Sequence, residues 1–196
     1  MSKKVVAVTF AGAPNAPGTL NMLEVLERHG IKGSFFMEGH RLEKDPETAL
    51  KVKEAGHDIG NHSYSHPMLD QIPLEEAREE ILKTDKLLKD LIGVDTKLVR
   101  PPAGQINHDL AAMLLEMGYH IVIWSYNIPV YDWAGPNAEA IAERVITNMN
   151  EGENIITFHD KYPYNPDALD IIIPKLKEMG YTFKRVSELT RKGIIQ

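Results

Sequence analysis

Apolar positions along this chain follow two different rhythms. Val5 to Phe10 is apolar except at Thr9, which suits a strand buried on both faces. After it, Leu20, Leu23 and Leu26 recur at helical spacing, as do Ala77, Ile81, Leu87, Leu88 and Leu91. Six segments end in a glycine followed within a few residues by a β-type run. These are Gly30 before Gly33 to Met37, Gly56 before Asp58 to Asn61, Gly93 before Lys97 to Arg100, Gly118 before Tyr119 to Trp124, Gly152 before Asn154 to Phe158, and Gly180 before Tyr181 to Val186. Each glycine is predicted to close a helix in the left-handed conformation. Glu79 with Lys83 and Asp85 with Lys89 add charge pairs along the third helical segment. Strand and helix thus alternate through seven strands, which calls for parallel pairing with right-handed crossovers. No linker or low-complexity stretch interrupts residues 1–196, so one domain is expected.

Polar residues suited to chemistry stand just after the predicted strands. His62 and His66 follow the third, Arg100-Pro101-Pro102-Ala103-Gly104 the fourth, Asp132-Trp133 the fifth and His159-Asp160 the sixth. In an open sheet, strands on opposite sides of the switch point are too far apart for all of these to converge. In a barrel every strand's C-terminal end faces one mouth. A barrel-like sheet is therefore predicted, with His62, His66, Arg100, Asp132 and His159 around that mouth.

Composition narrows the chemistry. With 43% hydrophobic and 26% charged residues, the 196-residue chain can bury a sizeable core. A formal charge of -6 with no dense Lys/Arg stripe argues against nucleic acid as a partner. The chain has no cysteine, so any metal must use nitrogen and oxygen ligands. No apolar stretch approaches the ~18 residues of a membrane span, and Met1-Ser2-Lys3-Lys4 runs straight into a strand. A cytoplasmic location is expected if the chain is complete, an extracytoplasmic one if a signal peptide has been removed. Oligomeric state is not legible.

Two imidazoles four residues apart, just past a strand and before Pro67, can meet one metal ion from a turn. The plain reading is that both are solvated or capping residues. Arg100, Asp132, Trp133 and His159 likewise have plain readings as an ion-pair partner, a turn residue, core and a strand-end histidine. Together they carry a resemblance. H-S-Y-S-H at 62–66, R-P-P-A-G at 100–104, D-W at 132–133 and I-I-T-F-H-D at 155–160 make the chain resemble the NodB-homology, or polysaccharide deacetylase, family of carbohydrate esterases. The resemblance runs from about Val5 to Leu189. It implies a distorted (β/α) barrel of seven to eight mostly parallel strands. It also implies hydrolysis of N- or O-acetyl groups on carbohydrate with a divalent metal, zinc foremost. By resemblance His62 and His66 would be metal ligands, His159 the general acid and Asp132 its orienting partner. Arg100 would orient a base, while Pro102, Ala103 and Trp133 would contact substrate, the Ala103 backbone N–H being available to an oxyanion.

One motif departs from the family. Where members read T-F-D-D-G-P, with a base and a metal ligand, this chain has Thr9-Phe10-Ala11-Gly12-Ala13-Pro14. The carboxylates are lost by substitution at Ala11 and Gly12, and restoring both as Asp is expected to raise activity. Divalent metal should bind weakly or not at all unless Glu38, His40 or an outside anion adds a ligand. Glu38 and His40 end the second strand; the alternative is that both are solvated loop residues. The functions left open are a metal-dependent deacetylase with a weakened site, a silent homologue that binds glycan or metal, and a small-amide or cyclic-imide hydrolase. The corresponding partner is an acetylated glycan or a small acylated substrate.

Overall fold

Strand β1 (Lys4–Ala13) organises the sheet, because it is bordered on both edges. It pairs with β6 (Gly152–His159) along one edge, and on the other with β2 (Ser34–Met37) from Thr9 onward and β7 (Thr182–Phe183) at Val5 and Val6. Beyond β2 the sheet runs through β3 (Asp58–Asn61), β4 (Leu98–Val99), β5 (His120–Val122) and β8 (Ile194–Ile195), and every pairing is parallel. The computed structural model describes residues 3–135, 137–190 and the backbone of 194–195. The sheet curls on itself. Past β5, the Ser125 N–H donates to Ile155 O at 2.9 Å and Ser125 Oγ accepts from the Ile155 N–H at 3.0 Å, which ties that end of the curl to β6. The expected barrel-like parallel sheet is the fold, with eight strands.

Among the described residues seven helices connect the strands: α1 (Gly18–Arg28), α2 (Gly39–Lys44), α3 (Pro46–Glu54), α4 (Leu74–Ile92), α5 (His108–Glu116), α6 (Ala138–Thr147) and α7 (Asn165–Glu178). Strand alternation sorts the core into two layers. Val6, Val8 and Phe10 pack outward with Met22, Val25 and Leu26 of α1 and Ile172 of α7, and Phe10 stacks on Phe35 at 4.5 Å. Val5 and Ala7 point into the curl, with Phe36, Leu98, Val122 and Ile155. The same alternation turns Thr9 and Ala11 inward, where Thr9 Oγ1 meets Thr157 Oγ1 at 2.9 Å.

Three sequence expectations need correction. Gly30, Gly56, Gly93, Gly118 and Gly180 do close helices at positive φ, but Gly152 opens β6 and donates its N–H to Lys3 O. The β2–β3 crossover holds two helices rather than one, divided at Asp45, whose carboxylate caps α3 by accepting the Thr48 N–H. Neither expected charge pair forms along α4: Lys83 lies over the Tyr64 ring, and Asp85 accepts from Asn61 Nδ2 and the Tyr119 hydroxyl.

Buried groups set the acid response. Burial, reinforced by Lys32 and Arg185, pushes His57 down to about 4, and its neutral Nδ1 accepts the Gly33 N–H at 2.9 Å. Burial also pushes His62 down to about 3 and lifts Asp160 to about 6. Below pH ~6.5 the unfolded chain protonates both histidines before the folded one, so stability falls with pH; Asp160 binds its proton first in the folded state and opposes them. The net excess on the unfolded side is one proton between pH ~4 and ~6, a slope of at most about 1.4 kcal/mol per pH unit. We expect His57→Asn, which keeps an acceptor for Gly33, to flatten that slope in urea denaturation followed from pH 7 to 4.

Candidate active site

Register assembles the mouth of the curl. Ala11 pairs with Phe36 on β2 and with His159 on β6, so these three stand at one level at the C-terminal ends of their strands. A cavity of about 420 Å³ opens there, and Ala11, His62, His66, Arg100, Ala103, Asp132, Trp133 and His159 all line it. Pro102 does not: it is buried in the short 3-10 turn Pro102–Gly104 and only supports Ala103.

The histidine turn is held from below. Asn61 Oδ1 accepts the Ser63 N–H at 2.9 Å, and its Nδ2 donates to Ile81 O and to Asp85. Glu80 of α4 accepts the N–H groups of Tyr64 and Ser65. Ser63 and His66 both take positive φ, and this tight reversal brings the two imidazoles to 4.9 Å between centroids at 75°. The Arg100 carbonyl can only accept, so His62 donates its Nδ1–H to it at 2.7 Å and keeps the Nε2 lone pair free. Burial is the main cause of the lowered His62 pKa, which keeps that nitrogen unprotonated.

Glu38 completes a cluster. One ligand atom from each of Glu38, His62 and His66 lies within 4.8 Å of the others, a two-imidazole, one-carboxylate set that suits a divalent cation. The carboxylate is buried, with Oε2 fixed by Arg41 Nε at 2.9 Å. Its Oε1 lies 3.4 Å from the point where a Cβ on Gly12 would stand. A carboxylate that directly follows β2 thus lies beside the place where a side chain on Gly12 would stand. His40 is outside the cluster; its Nδ1 lies 2.9 Å from Tyr64 O and 3.4 Å from Glu38 Oε2.

Opposite stands an ordered acid pair. Asp132 Oδ1 accepts from His159 Nδ1 at 2.9 Å, while Oδ2 accepts the His159 backbone N–H at 2.6 Å and Asn165 Nδ2 at 2.7 Å. The Asp132 carboxylate is therefore committed to holding His159 in the tautomer that presents Nε2. Asn165 and Tyr164, which donates to the Asp132 carbonyl, went unnoticed in the sequence; a strand-end H-D followed by Y-P-Y-N was the available signal. The segment from Trp124 to Tyr131 was also missed as a wall. Tyr126, Tyr131 and Trp133 are 62%, 51% and 64% exposed at the rim, although aromatics this dense after β5 invited the reading.

Arg100 is wholly buried, and that burial alone holds its pKa down to about 9. Its Nε donates to Val122 O at 3.1 Å and its guanidinium lies 4.1 Å from the Phe36 centroid.

Comparison with known proteins agrees with this geometry. The family model for polysaccharide deacetylases matches residues 1–122, and the chain belongs to that family. It is 35% identical over 188 residues to the peptidoglycan-N-acetylmuramic acid deacetylase PdaC of Bacillus subtilis, covering 96% of this chain and 39% of that protein. The chain therefore spans about two fifths of that relative's length. The crystal structure of the Bc1960 peptidoglycan N-acetylglucosamine deacetylase superposes with a TM-score of 0.91 at 34% identity, covering 98% of this chain and 91% of the other. BA3943 of Bacillus anthracis, described as a pseudoenzyme of the CE4 family, superposes at 0.90 with 26% identity over 99% of this chain and 67% of the other. A mutant of BA3943 is described as having restored enzymatic activity.

The wall behind Ala103 is tightly built. Gly104 has φ +65, and a Cβ there would stand 2.6 Å from the Trp124 ring. We expect Gly104→Ala to cost roughly 1–3 kcal/mol in denaturant titration and to shift the tryptophan emission.

Proposed function

We propose that this chain is a metal-dependent deacetylase of acetylated amino sugars, peptidoglycan being the polymer named for its relatives, and that turnover is low because it lacks a base. The observation that carries the reading is one cavity lined by His62 and His66, which cluster with the buried Glu38, and by an ordered His159–Asp132 pair. A divalent cation, zinc by the nitrogen and oxygen ligand set, would polarise the acetyl carbonyl and make water more acidic. His62 is held ready by Arg100 O, and Glu38 supplies the negative charge that two neutral imidazoles lack. The Ala103 backbone N–H is the donor we assign to the developing oxyanion. His159, oriented by Asp132, protonates the leaving nitrogen through Nε2. The rim aromatics Tyr126, Tyr131 and Trp133 offer exposed faces for sugar rings.

What limits turnover is Ala11. Among the described lining residues Asp132 is the one carboxylate, and it is already engaged, so no lining carboxylate is free to take a proton from water. This favours a second reading, a glycan-binding homologue that does not turn over, and the resemblance to BA3943 points the same way.

Acetate release from acetylated chito-oligosaccharides with zinc present decides between them. Ala11→Asp is expected to raise it by ~10²–10⁴-fold, and His159→Ala to remove that gain. Gly12→Asp should not help: at φ +90 any side chain is strained, and the new carboxylate would crowd Glu38. Glu38→Gln should weaken zinc binding at least ~10–100-fold in equilibrium dialysis, and His40→Ala, which removes only a neighbour of Glu38, should weaken it far less. No acetate from the parent even at high enzyme, with Ala11→Asp active, would establish the silent homologue. No acetate from either would end the deacetylase reading.

A further inference from the structure

Arg100 carries a positive charge that the protein around it leaves uncompensated. The side chain is fully buried, yet Nη1 and Nη2 have no hydrogen-bond partner. Among the described residues, besides the single bond from Nε to Val122 O, it has only the faces of Phe36 at 4.1 Å and Trp124 at 6.0 Å. Ring quadrupoles offset part of the cost of burying a cation, but they accept no N–H in the guanidinium plane. Arg100 and Ala11 line the same cavity, and there Ala11 contributes a methyl group and no charge. Two parallel N–H groups in a planar fork fit the two oxygens of a carboxylate better than any spherical anion.

We propose that Arg100 and the space over Ala11 form a binding site for a monocarboxylate. The ligand is either a free anion of formate or acetate size or the carboxylate of an acidic sugar. Its binding stands apart from the deacetylase reading; its catalytic consequence rests on that reading. The bound carboxylate takes a proton from water as the water oxygen bonds to the acetyl carbon. The C–N bond then breaks, with its electron pair and the His159 proton going to nitrogen. The proton held by the carboxylic acid returns to His159, and acetic acid leaves and ionises. The anion thus does externally what a side chain at position 11 would do internally.

The test uses the full zinc-loaded chain and ¹³C-formate followed by NMR, with N-acetylmuramic acid and N-acetylglucosamine as the paired sugar probes. Ala11→Asp supplies an internal carboxylate, leaves the metal cluster in place and should weaken the anion at least ~tenfold. Arg100→Lys keeps the charge but loses the fork and should weaken it as well. Formate binding that is saturable in the parent and lost in Ala11→Asp supports the free-anion source. Binding of N-acetylmuramic acid but not N-acetylglucosamine, lost in the same variant, supports the sugar source. If neither probe binds the parent, or if binding survives Ala11→Asp unchanged because it occurs on the metal, the proposal is wrong. Formate should also raise acetate release in the parent and not in Ala11→Asp. Binding without that stimulation would uphold the site and count against the deacetylase reading instead.

Discussion

Parallel pairing of β1 with β6 and β2 is the constraint on which the rest of the molecule depends. Parallel strands deliver their C-terminal ends to one side, and the register sets Ala11 level with Phe36 and His159. Because alternate residues face opposite ways, the frame that sends Phe10 outward under the helices sends Ala11 inward. A one-residue slip would exchange those faces and bury Phe10 in the mouth. The hydrophobic outer layer thus fixes the position of the polar inner one.

Within the mouth, function is divided by dielectric environment. Desolvation keeps His62 neutral, and a backbone carbonyl takes its other ring proton, so the nitrogen facing the cavity stays a lone-pair donor. His159 is half exposed but braced by a buried carboxylate whose oxygens are shared with a backbone N–H and Asn165. Arg100 is desolvated without a compensating anion, a state that proteins tolerate only where a ligand or a neighbouring group repays it. The site thus combines a buried guanidinium with aromatic rings exposed at its rim.

Ala11 and Gly12, where the family resemblance leads one to expect carboxylates, differ in what stands beside them. Beside Gly12 the space is taken by Glu38, which directly follows β2, so a carboxylate stands near His62 and His66. At Ala11 nothing comparable arrives, since the facing positions are taken by an aromatic ring and by His159. Family membership therefore does not by itself decide turnover, and the presence of a pseudoenzyme among the similar structures makes the same point.

The linear order of residues was enough to define the alternating strands and helices, and it set the chemical candidates at strand ends, because period and glycine punctuation are local properties of the chain. It also drew attention to Ala11 and Gly12 and offered both Glu38 and His40 as substitute ligands. Choosing between those two required the fold: they are two residues apart, and only the path of β2 against β1 and the histidine turn puts Glu38 inside the cluster and leaves His40 on Tyr64 O. The isolation of Arg100 and the role of Asn165 were equally hidden. Both depend on which groups from distant segments share a desolvated space, a property of three-dimensional packing that no spacing along the chain encodes.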